Sequence, residues 1–190
     1  MKPARSLGAE YFDRVYAQSP DPWNFETSQY ELEKYHATVE ALGSRRFRSA
    51  FEIGCSIGVL TSLMAPNCER LLAVDVSVEA LERARKRCAG EANVTFARMS
   101  VPHDFPSDTF DLVLVSEVAY YWSKADLSLS IDKIAGAARG GIVELVHYLP
   151  KVYDYPQSGD DVHSAFLADS RFTLLRNHRT EKYRIDVLAA

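Results

Sequence analysis

Two carboxylates and two glycines near the middle of the chain have the types and spacing of a nucleotide-type ligand site. Glu52 lies at the end of an apolar run, Gly54 and Gly58 bracket a tight turn, and Asp75 ends the next apolar run. Glycines let the backbone approach a ligand closely, and a carboxylate after the second strand accepts hydrogen bonds from ribose hydroxyls. The pattern therefore predicts a ribose-containing cofactor at the mouth of a parallel sheet.

The glycine loop differs from the G-x-G-x-x-G fingerprint of dinucleotide-binding enzymes, which would place glycine at Ser56 and Val59. A pyrophosphate is bound by close backbone amides and a helix N-terminus. S-adenosylmethionine instead carries an amino cation and a sulfonium, which suit a carboxylate such as Glu52. We therefore predict S-adenosylmethionine as the cofactor, with S-adenosylhomocysteine as its product; the alternative is a nicotinamide cofactor.

Two later segments add candidates to the same site. Met99 or Val101 is placed to pack on an adenine ring, with Ser100 or a backbone amide at its edge, although Met99 alone also fits a core position. The fourth predicted strand ends at Ser116 and Glu117, at the edge of the sheet where open α/β sheets bind ligands. We expect Glu117 beside the methionine end of the cofactor or the acceptor amine, and the alternative is a surface charge.

Alternating helical and strand patterns place these residues along one edge of a sheet. Helical periodicity covers residues 9–18, 28–42, 59–65, 78–88, 125–138 and 160–167. Apolar strand patterns cover residues 50–53, 70–74, 94–97, 112–115, 141–147, 171–175 and 182–188, with a turn expected near Asn177.

These elements predict a doubly wound α/β fold. We expect a mostly parallel, seven-stranded Rossmann-like sheet with an antiparallel C-terminal strand and an N-terminal helical cap. The whole chain, 1–190, forms one domain in this interpretation, with the cap at 1–45 and the core at 46–190.

Composition excludes several classes of function. A net charge of −4 and a pI near 5.7 argue against a nucleic-acid partner, since phosphate backbones require a basic face. Three widely spaced cysteines without a C-x-x-C pair indicate neither a disulfide framework nor a metal site. The N-terminus lacks an apolar signal core and no apolar run is long enough to span a membrane, so we expect a soluble, cytoplasmic protein.

Over nearly its whole length the chain resembles the class I S-adenosylmethionine-dependent methyltransferases, and within them the nodulation protein S type. Members of that type N-methylate the free amine of a de-N-acetylated chitooligosaccharide on the way to a lipochitooligosaccharide signal, the Nod factor. The glycine loop is generic, whereas the first and last of the matching motifs are specific. The motifs are Asp21-Pro22-Trp23, Ser28-x-Tyr30-Glu31-x-x-Lys34-Tyr35, Glu52-Ile53-Gly54-Cys55 and Ser116-Glu117-Val118-x-Tyr120-Tyr121.

The resemblance implies that the cap closes over the cofactor. Trp23 and Tyr30 would border its methionine moiety and Lys34 or Tyr35 would reach its carboxylate; Trp23 could equally staple the two cap helices together. The expected cofactor site therefore comprises Trp23, Tyr30, Lys34, Glu52, Gly54, Cys55, Gly58, Asp75, Val76, Met99, Ser100, Val101 and Ser116.

Methyl transfer to an amine needs the lone pair held in line with the methyl group, and a group that accepts the amine's protons. Glu117 and His147 are the candidate catalytic residues, and His147 is otherwise a hydrogen-bonded packing residue. Aromatic side chains that can stack on a sugar are Tyr16, Tyr120, Tyr121 and Trp122, each of which fits the core as well. The remaining alternatives are a small-molecule N- or O-methyltransferase with another acceptor and a non-catalytic cofactor-binding module.

Overall fold

The computed structural model describes residues 5–190, which form six α-helices and seven strands. None of these helices is long and apolar enough to cross a membrane. The helices are α1 Ala9–Gln18, α2 Gln29–Ala41, α3 Val59–Met64, α4 Val78–Arg87, α5 Lys124–Ala137 and α6 Gly159–Leu167. The strands are β1 Ala50–Ile53, β2 Leu71–Asp75, β3 Val94–Arg98, β4 Leu112–Ser116, β5 Ile142–Tyr148, β6 Thr173–Arg179 and β7 Tyr183–Ala189.

All seven strands form one sheet in the order β3-β2-β1-β4-β5-β7-β6. Strands β1 to β5 are parallel, and β7 runs antiparallel to both of its neighbours, β5 and β6. The chain turns from β1 outward to β3 and then returns to β4 on the other side of β1. That reversal opens a crevice at the carboxyl ends of β1 and β4. The predicted fold class is confirmed, including the single C-terminal strand that opposes the parallel set.

Serine side chains cap the first turns of α2, α4 and α5. Ser28, Ser77 and Ser123 each accept a hydrogen bond from the backbone N–H three residues later. These bonds satisfy donors that the first helical turn leaves without partners. Each of these three helices therefore begins directly after its capping serine.

The central strands are buried on both faces, as their continuous apolar sequences predict. All residues of β1 and β4 are buried. One face packs into a cluster around Phe51, Val113 and Leu145. The opposite face packs around Leu114 and other residues beneath α2 and α3. The core therefore holds the carboxyl ends of β1, β2 and β4 in fixed positions at one edge.

The prediction for the last hairpin is wrong in its position. Asn177 lies inside β6 opposite Asp186, and the reversal occurs at Thr180, whose hydroxyl accepts hydrogen bonds from the backbone of Lys182 and Tyr183. Every residue of β6 is exposed because the strand lies at the sheet edge. An exposed edge strand has no apolar periodicity, so its polar second half resembled a turn in the sequence.

Candidate active site

A cavity of about 520 Å³ opens at the carboxyl ends of the central strands, beneath the two N-terminal helices. This volume lies within the usual range for small-molecule sites, about 300–1,000 Å³. Fourteen of the residues predicted for the site line it. They are Tyr16, Trp23, Tyr30, Lys34, Gly54, Asp75, Val76, Met99, Ser100, Val101, Glu117, Tyr120, Tyr121 and Trp122.

The loop after β1 is shaped by left-handed backbone at Gly54, Ser56 and Gly58, with φ of 81°, 50° and 80°. A Cβ on Gly54 would lie 2.9 Å from the Cβ of Val118, and one on Gly58 would lie 2.9 Å from the Cα of Ala84. Any larger residue at either glycine would therefore strain the backbone and displace a neighbour. The two glycines bring the loop close to the β4 end and to α4.

Asp75 lines the cavity at the end of β2. Its two carboxylate oxygens accept hydrogen bonds from the backbone N–H groups of Ser56 and Ser77, each at 2.9 Å. Burial raises the pKa of this carboxyl, and these backbone bonds oppose the rise. Each oxygen keeps a second acceptor position, so the side chain can also take two hydroxyl groups of a ribose. The Tyr16 hydroxyl fixes the same loop through a short hydrogen bond to the Ser56 side chain.

Glu117 follows β4 with a left-handed backbone, φ 54°. Its Oε1 accepts a hydrogen bond of 2.6 Å from Nζ of Lys34. Its Oε2 accepts one from the Tyr120 hydroxyl and one of 3.1 Å from the backbone N–H of Tyr148. An ionised carboxylate offers about four acceptor positions. Three are occupied here, which leaves Glu117 room for one further donor.

Lys34 joins the cap helix α2 to the β4 end. Its side chain is 2% exposed and also pairs with Glu31, one helical turn earlier, at 2.9 Å. Burial lowers the pKa of Lys34, but the carboxylates of Glu117 and Glu31 more than offset this effect, and the pKa stays above its usual range. Lys34 is therefore a cation, and its two carboxylate partners already take part of its hydrogen-bonding capacity.

Acidic groups outnumber cations around the cavity. The cavity lining includes one lysine, Lys34, and four carboxylic acids, Glu31, Asp75, Glu117 and Asp126. Burial raises the pKa of Glu31 and of Asp75, which is the response of carboxyls that gather in a desolvated site. Such a cavity attracts positively charged ligand groups and disfavours a pyrophosphate.

The hydroxyl oxygen of Tyr30 provides a further point of attachment. It is buried and has no hydrogen-bond partner among residues 5–190. Tyr30 lines the cavity, so a polar group of a bound ligand can satisfy this oxygen. The side chain therefore fits the predicted contact with the cofactor.

The aromatic side chains predicted to stack on a sugar are more deeply buried than that role requires. The rings of Tyr120, Tyr121 and Trp122 are 5–6% exposed, because they pack into the core. Their faces are therefore not free to stack on a sugar. The half-buried rings on the cavity wall belong instead to Phe12, Trp23, Phe25, Tyr30, Tyr148 and Tyr155.

Tyr16 lines the cavity at its glycine-loop end. Its ring packs edge-on against Trp23, with 5.7 Å between ring centroids, and its hydroxyl meets the glycine loop at Ser56. Tyr16 is thus placed to support the cofactor end of the cavity. Trp23 stacks on Phe25 as well, so it joins the cap segments and lines the cavity at once.

Five predicted residues do not reach the main cavity. Gly58 does not line it, and Cys55, Ser116 and Glu52 line a smaller pocket that shares Gly54, Ser56 and Glu117 with it. Glu52 is 1% exposed and accepts a 2.6 Å hydrogen bond from Thr61 of α3, and burial raises its pKa to about 7. Its carboxyl is therefore directed toward α3, and it does not line the main cavity.

His147 is the fifth of these residues and is fully buried. Its Nε2 accepts a hydrogen bond of 3.3 Å from the backbone N–H of Ala119. The side chain points away from the cavity, so it cannot take a proton directly from an acceptor there. The alternative interpretation, a hydrogen-bonded packing residue, matches its surroundings.

Sequence reasoning missed several lining residues. Ser56 and Tyr148 lie at strand ends beside predicted residues, so the strand-edge rule could have found them. Tyr155 comes from the segment between β5 and α6, and Phe12 from α1. Nothing in the local sequence shows that the ring of Phe12 approaches the same cavity.

Comparisons with known proteins identify one protein family. The family model of nodulation protein S (NodS) matches residues 11–142. Nodulation protein S of Bradyrhizobium diazoefficiens is 38% identical over 104 residues, which cover 53% of this chain and 49% of the relative. The protein of the same name from Rhizobium tropici is 35% identical over 102 residues, or 53% of this chain and 43% of the relative. The chain thus spans about half the length of the curated relatives that it matches.

A solved structure shares the fold over nearly the whole chain. It is the N-methyltransferase NodS from Bradyrhizobium japonicum in complex with S-adenosyl-L-homocysteine. The TM-score is 0.85 at 22% identity, with 95% of this chain and 97% of that chain covered. At this identity the similarity establishes the common fold.

Proposed function

We propose that this chain, which belongs to the nodulation protein S family, transfers the methyl group of S-adenosylmethionine to an amino nitrogen. The observation that carries the proposal is the environment of Glu117. Its carboxylate is fixed at the carboxyl end of β4 by three donors and keeps one acceptor position on an acidic cavity. A site of that kind is suited to hold an amine.

Residues of this chain fit the cofactor. The carboxylate of Asp75 would hold the ribose hydroxyls, and Met99, Ser100 and Val101 would border the adenine. The acidic surroundings favour the amino cation and the sulfonium. When bound, S-adenosylmethionine supplies an electrophilic methyl group next to a positive sulfur. The related N-methyltransferase NodS binds the demethylated product, S-adenosyl-L-homocysteine.

The protein's part in the reaction is to position the acceptor. The free position on Glu117 accepts one N–H of a neutral amine and thereby directs the nitrogen lone pair into the cavity. The product amine is positively charged, and the fixed carboxylate stabilises that charge as it develops. The lost proton can leave through Glu117 to solvent. Lys34 and Tyr120 keep the carboxylate in one orientation throughout.

We assign the acceptor to the amino-sugar class, as the free amine of a de-N-acetylated sugar or chitooligosaccharide in Nod factor synthesis. Family membership supports this assignment, and so do the half-buried rings of Phe12, Tyr148 and Tyr155, which offer surfaces for a sugar face. A cytoplasmic location is consistent with the three cysteines, which are all free thiols.

One experiment distinguishes this proposal from two alternative functions. A small-molecule methyltransferase with another acceptor would bind the cofactor but no amino sugar. A non-catalytic cofactor-binding module would bind S-adenosylhomocysteine without turnover. The orientation of Glu117 toward the cavity favours turnover over binding alone.

The test is calorimetric titration with S-adenosylhomocysteine, followed in the same cell by a partly deacetylated chitooligosaccharide. The fully N-acetylated oligosaccharide of the same length is the matched control, because it has no free amine. NADH serves as the control for a dinucleotide site. We expect binding of the cofactor product and of the deacetylated sugar only, followed by a one-methyl mass increase when S-adenosylmethionine is supplied.

Each other outcome selects a different conclusion. Binding of S-adenosylhomocysteine without the sugar keeps the methyltransferase and rejects the amino-sugar acceptor. Binding of both without a mass increase points to the non-catalytic module. Binding of NADH alone rejects the proposed cofactor.

A further inference from the structure

A chain of buried polar side chains lies behind the active-site wall. His147 of β5 and His163 of α6 meet through Nδ1 and Nε2 at 3.2 Å. Nδ1 of His163 then meets Oδ2 of Asp186 in β7 at 2.8 Å. All three residues are 0% exposed. At the other end, Nε2 of His147 faces the backbone N–H of Ala119. The chain therefore connects β7 with the segment that follows β4.

The two ends of this chain fix its direction. The backbone N–H of Ala119 can only donate, so Nε2 of His147 is an acceptor and the proton of that ring is on Nδ1. That Nδ1–H donates to Nε2 of His163, whose own proton is then on Nδ1 and is donated to Asp186. Each ring is neutral and carries its proton on Nδ1 in this arrangement.

The surroundings of the chain support these protonation states. Burial lowers the pKa of His147, and the nearby His163 and Lys34 lower it further. Burial likewise lowers the pKa of His163, against the pull of Asp186. Burial raises the pKa of Asp186, but hydrogen bonds from His163, Asn177 and Arg184 more than offset this effect and leave the pKa below its usual value.

The donor end of this hydrogen-bonded chain is the segment that carries the proposed acceptor site. Ala119 lies two residues after Glu117, whose left-handed backbone needs support. The ring of His147 also packs edge-on against Tyr120, with 5.3 Å between centroids. The hydroxyl of Tyr120 in turn donates to the Glu117 carboxylate. The imidazole therefore holds both the backbone and one of the three donors of Glu117.

We infer that Asp186, His163 and His147 are positioning residues that hold the segment 117–120, and through it the Glu117 carboxylate, in the geometry for methyl transfer. These side chains act through hydrogen bonds that all donate in the direction of Asp186, and they exchange no proton with the substrate. The inference rests on the proposed function for its catalytic consequence, whereas the hydrogen-bond chain itself is measurable without turnover.

Two substitutions of His147 separate hydrogen bonding from packing. His147→Gln places an amide oxygen near the former Nε2 and keeps an acceptor for Ala119. His147→Asn extends only as far as Nδ1, so the Ala119 N–H loses its partner. We expect His147→Asn to lower kcat about 10- to 100-fold, the scale of a misplaced catalytic group. His147→Gln should restore most of it, and both should bind S-adenosylhomocysteine within about twofold of the parent affinity, since the cofactor contacts lie elsewhere.

Phe166→Leu is the control for a general loss of packing. Phe166 is fully buried in α6, the helix of His163, and contacts Phe172, with no part in the polar chain. It should lower the thermal midpoint and leave kcat unchanged at a temperature well below that midpoint. A kcat loss in Phe166→Leu equal to that in His147→Asn would show a merely structural effect and overturn the positioning role.

Nuclear magnetic resonance of the unsubstituted protein tests the chain independently of activity. Long-range proton–nitrogen spectra should show both imidazoles neutral with the proton on Nδ1, and Asp186→Asn should remove that preference at His163. The Ala119 amide should exchange with deuterium at least about tenfold faster in His147→Asn than in His147→Gln. A proton on Nε2 of either imidazole, or equal exchange rates of the Ala119 amide in the two variants, refutes the proposed hydrogen-bonded chain of side chains. A protein with the expected tautomers but no methyl transfer refutes the proposed function instead.

Discussion

Replacing Asp75 by alanine should weaken S-adenosylhomocysteine binding through the loss of two acceptors for ribose hydroxyls. Both carboxylate oxygens of Asp75 are held by backbone N–H groups at 2.9 Å, and each keeps one free acceptor position. Hydrogen bonds to a charged group contribute about 1.5–3 kcal/mol. The loss of one such bond corresponds to a dissociation constant about 10- to 150-fold higher, because about 1.4 kcal/mol is a factor of ten, and the loss of both is at least as large.

The same substitution also removes two backbone contacts within the site. The N–H groups of Ser56 and Ser77 lose their partner, so the loops after β1 and β2 become less well fixed. Asp75→Asn retains the side-chain size but presents an N–H to one of these two donors. We therefore expect Asp75→Asn to bind with an affinity between those of the parent and the alanine variant.

Calorimetric titration with S-adenosylhomocysteine measures both variants, with circular dichroism to confirm that each is folded. Asp111→Ala is the matched control, because Asp111 also accepts a backbone N–H, that of Arg48, but precedes β4 at the opposite edge of the sheet. The control should bind like the parent. An affinity of folded Asp75→Ala within twofold of the parent would refute the ribose contact and, with it, the cofactor assignment.

Four further outcomes follow from the described contacts. Glu117→Gln should lower kcat by more than it weakens S-adenosylhomocysteine binding, since the new amide N–H faces a group that now donates to the carboxylate. Kinetic and calorimetric measurements on this variant test the difference, and equal losses would place Glu117 among the cofactor contacts. Glu144→Leu should raise the free energy of unfolding in urea by about 1–3 kcal/mol, because both buried oxygens of Glu144 lack partners among residues 5–190, and a decrease would contradict this. Burial raises the pKa of Glu52 from 4.5 to about 7, so the folded state keeps the proton to a higher pH than the unfolded state does. The free energy of unfolding should therefore fall by roughly 3 kcal/mol between pH 4.5 and 7. A difference in this free energy between the parent and Glu52→Gln that does not change with pH would argue against it. Gly58→Ala should destabilise the fold by about 2 kcal/mol or more, because the backbone φ at this position is 80° and the new Cβ would collide with Ala84. A lower midpoint of urea unfolding would show this loss.

The sequence predicted the strand ends well because a parallel sheet leaves little freedom there. Glu117 and Asp75 follow apolar runs, and the carboxyl ends of parallel strands meet at one edge. Their convergence on one cavity is therefore predictable without knowledge of any contact. The predicted bounds of α1 and β1 agree with the structure for the same reason, since their periodicity and flanking residues are unambiguous.

The direction in which a side chain points was harder to predict. His147 shares a face of β5 with Val143 and Leu145, because side chains alternate along a strand. That face is covered near His147 by α6, which comes later in the chain, so only the three-dimensional packing shows that the ring meets His163. Glu52 is similar: its carboxyl follows the alternation of β1 toward α3 and Thr61, away from the predicted cofactor.

The ion pair between Lys34 and Glu117 connects the cap helix α2 directly to the proposed acceptor site. The two residues are 83 positions apart, and no periodicity links a helix of the cap to the end of β4. A buried ion pair contributes little net stability, because desolvation offsets most of the attraction, yet removing one partner costs about 3–5 kcal/mol. The pair therefore acts chiefly on position: it holds α2 over the cavity and fixes the orientation of the Glu117 carboxylate at the cavity wall. Lys34→Met would leave Glu117 without its cationic partner, so the cap and the carboxylate should lose their fixed arrangement together.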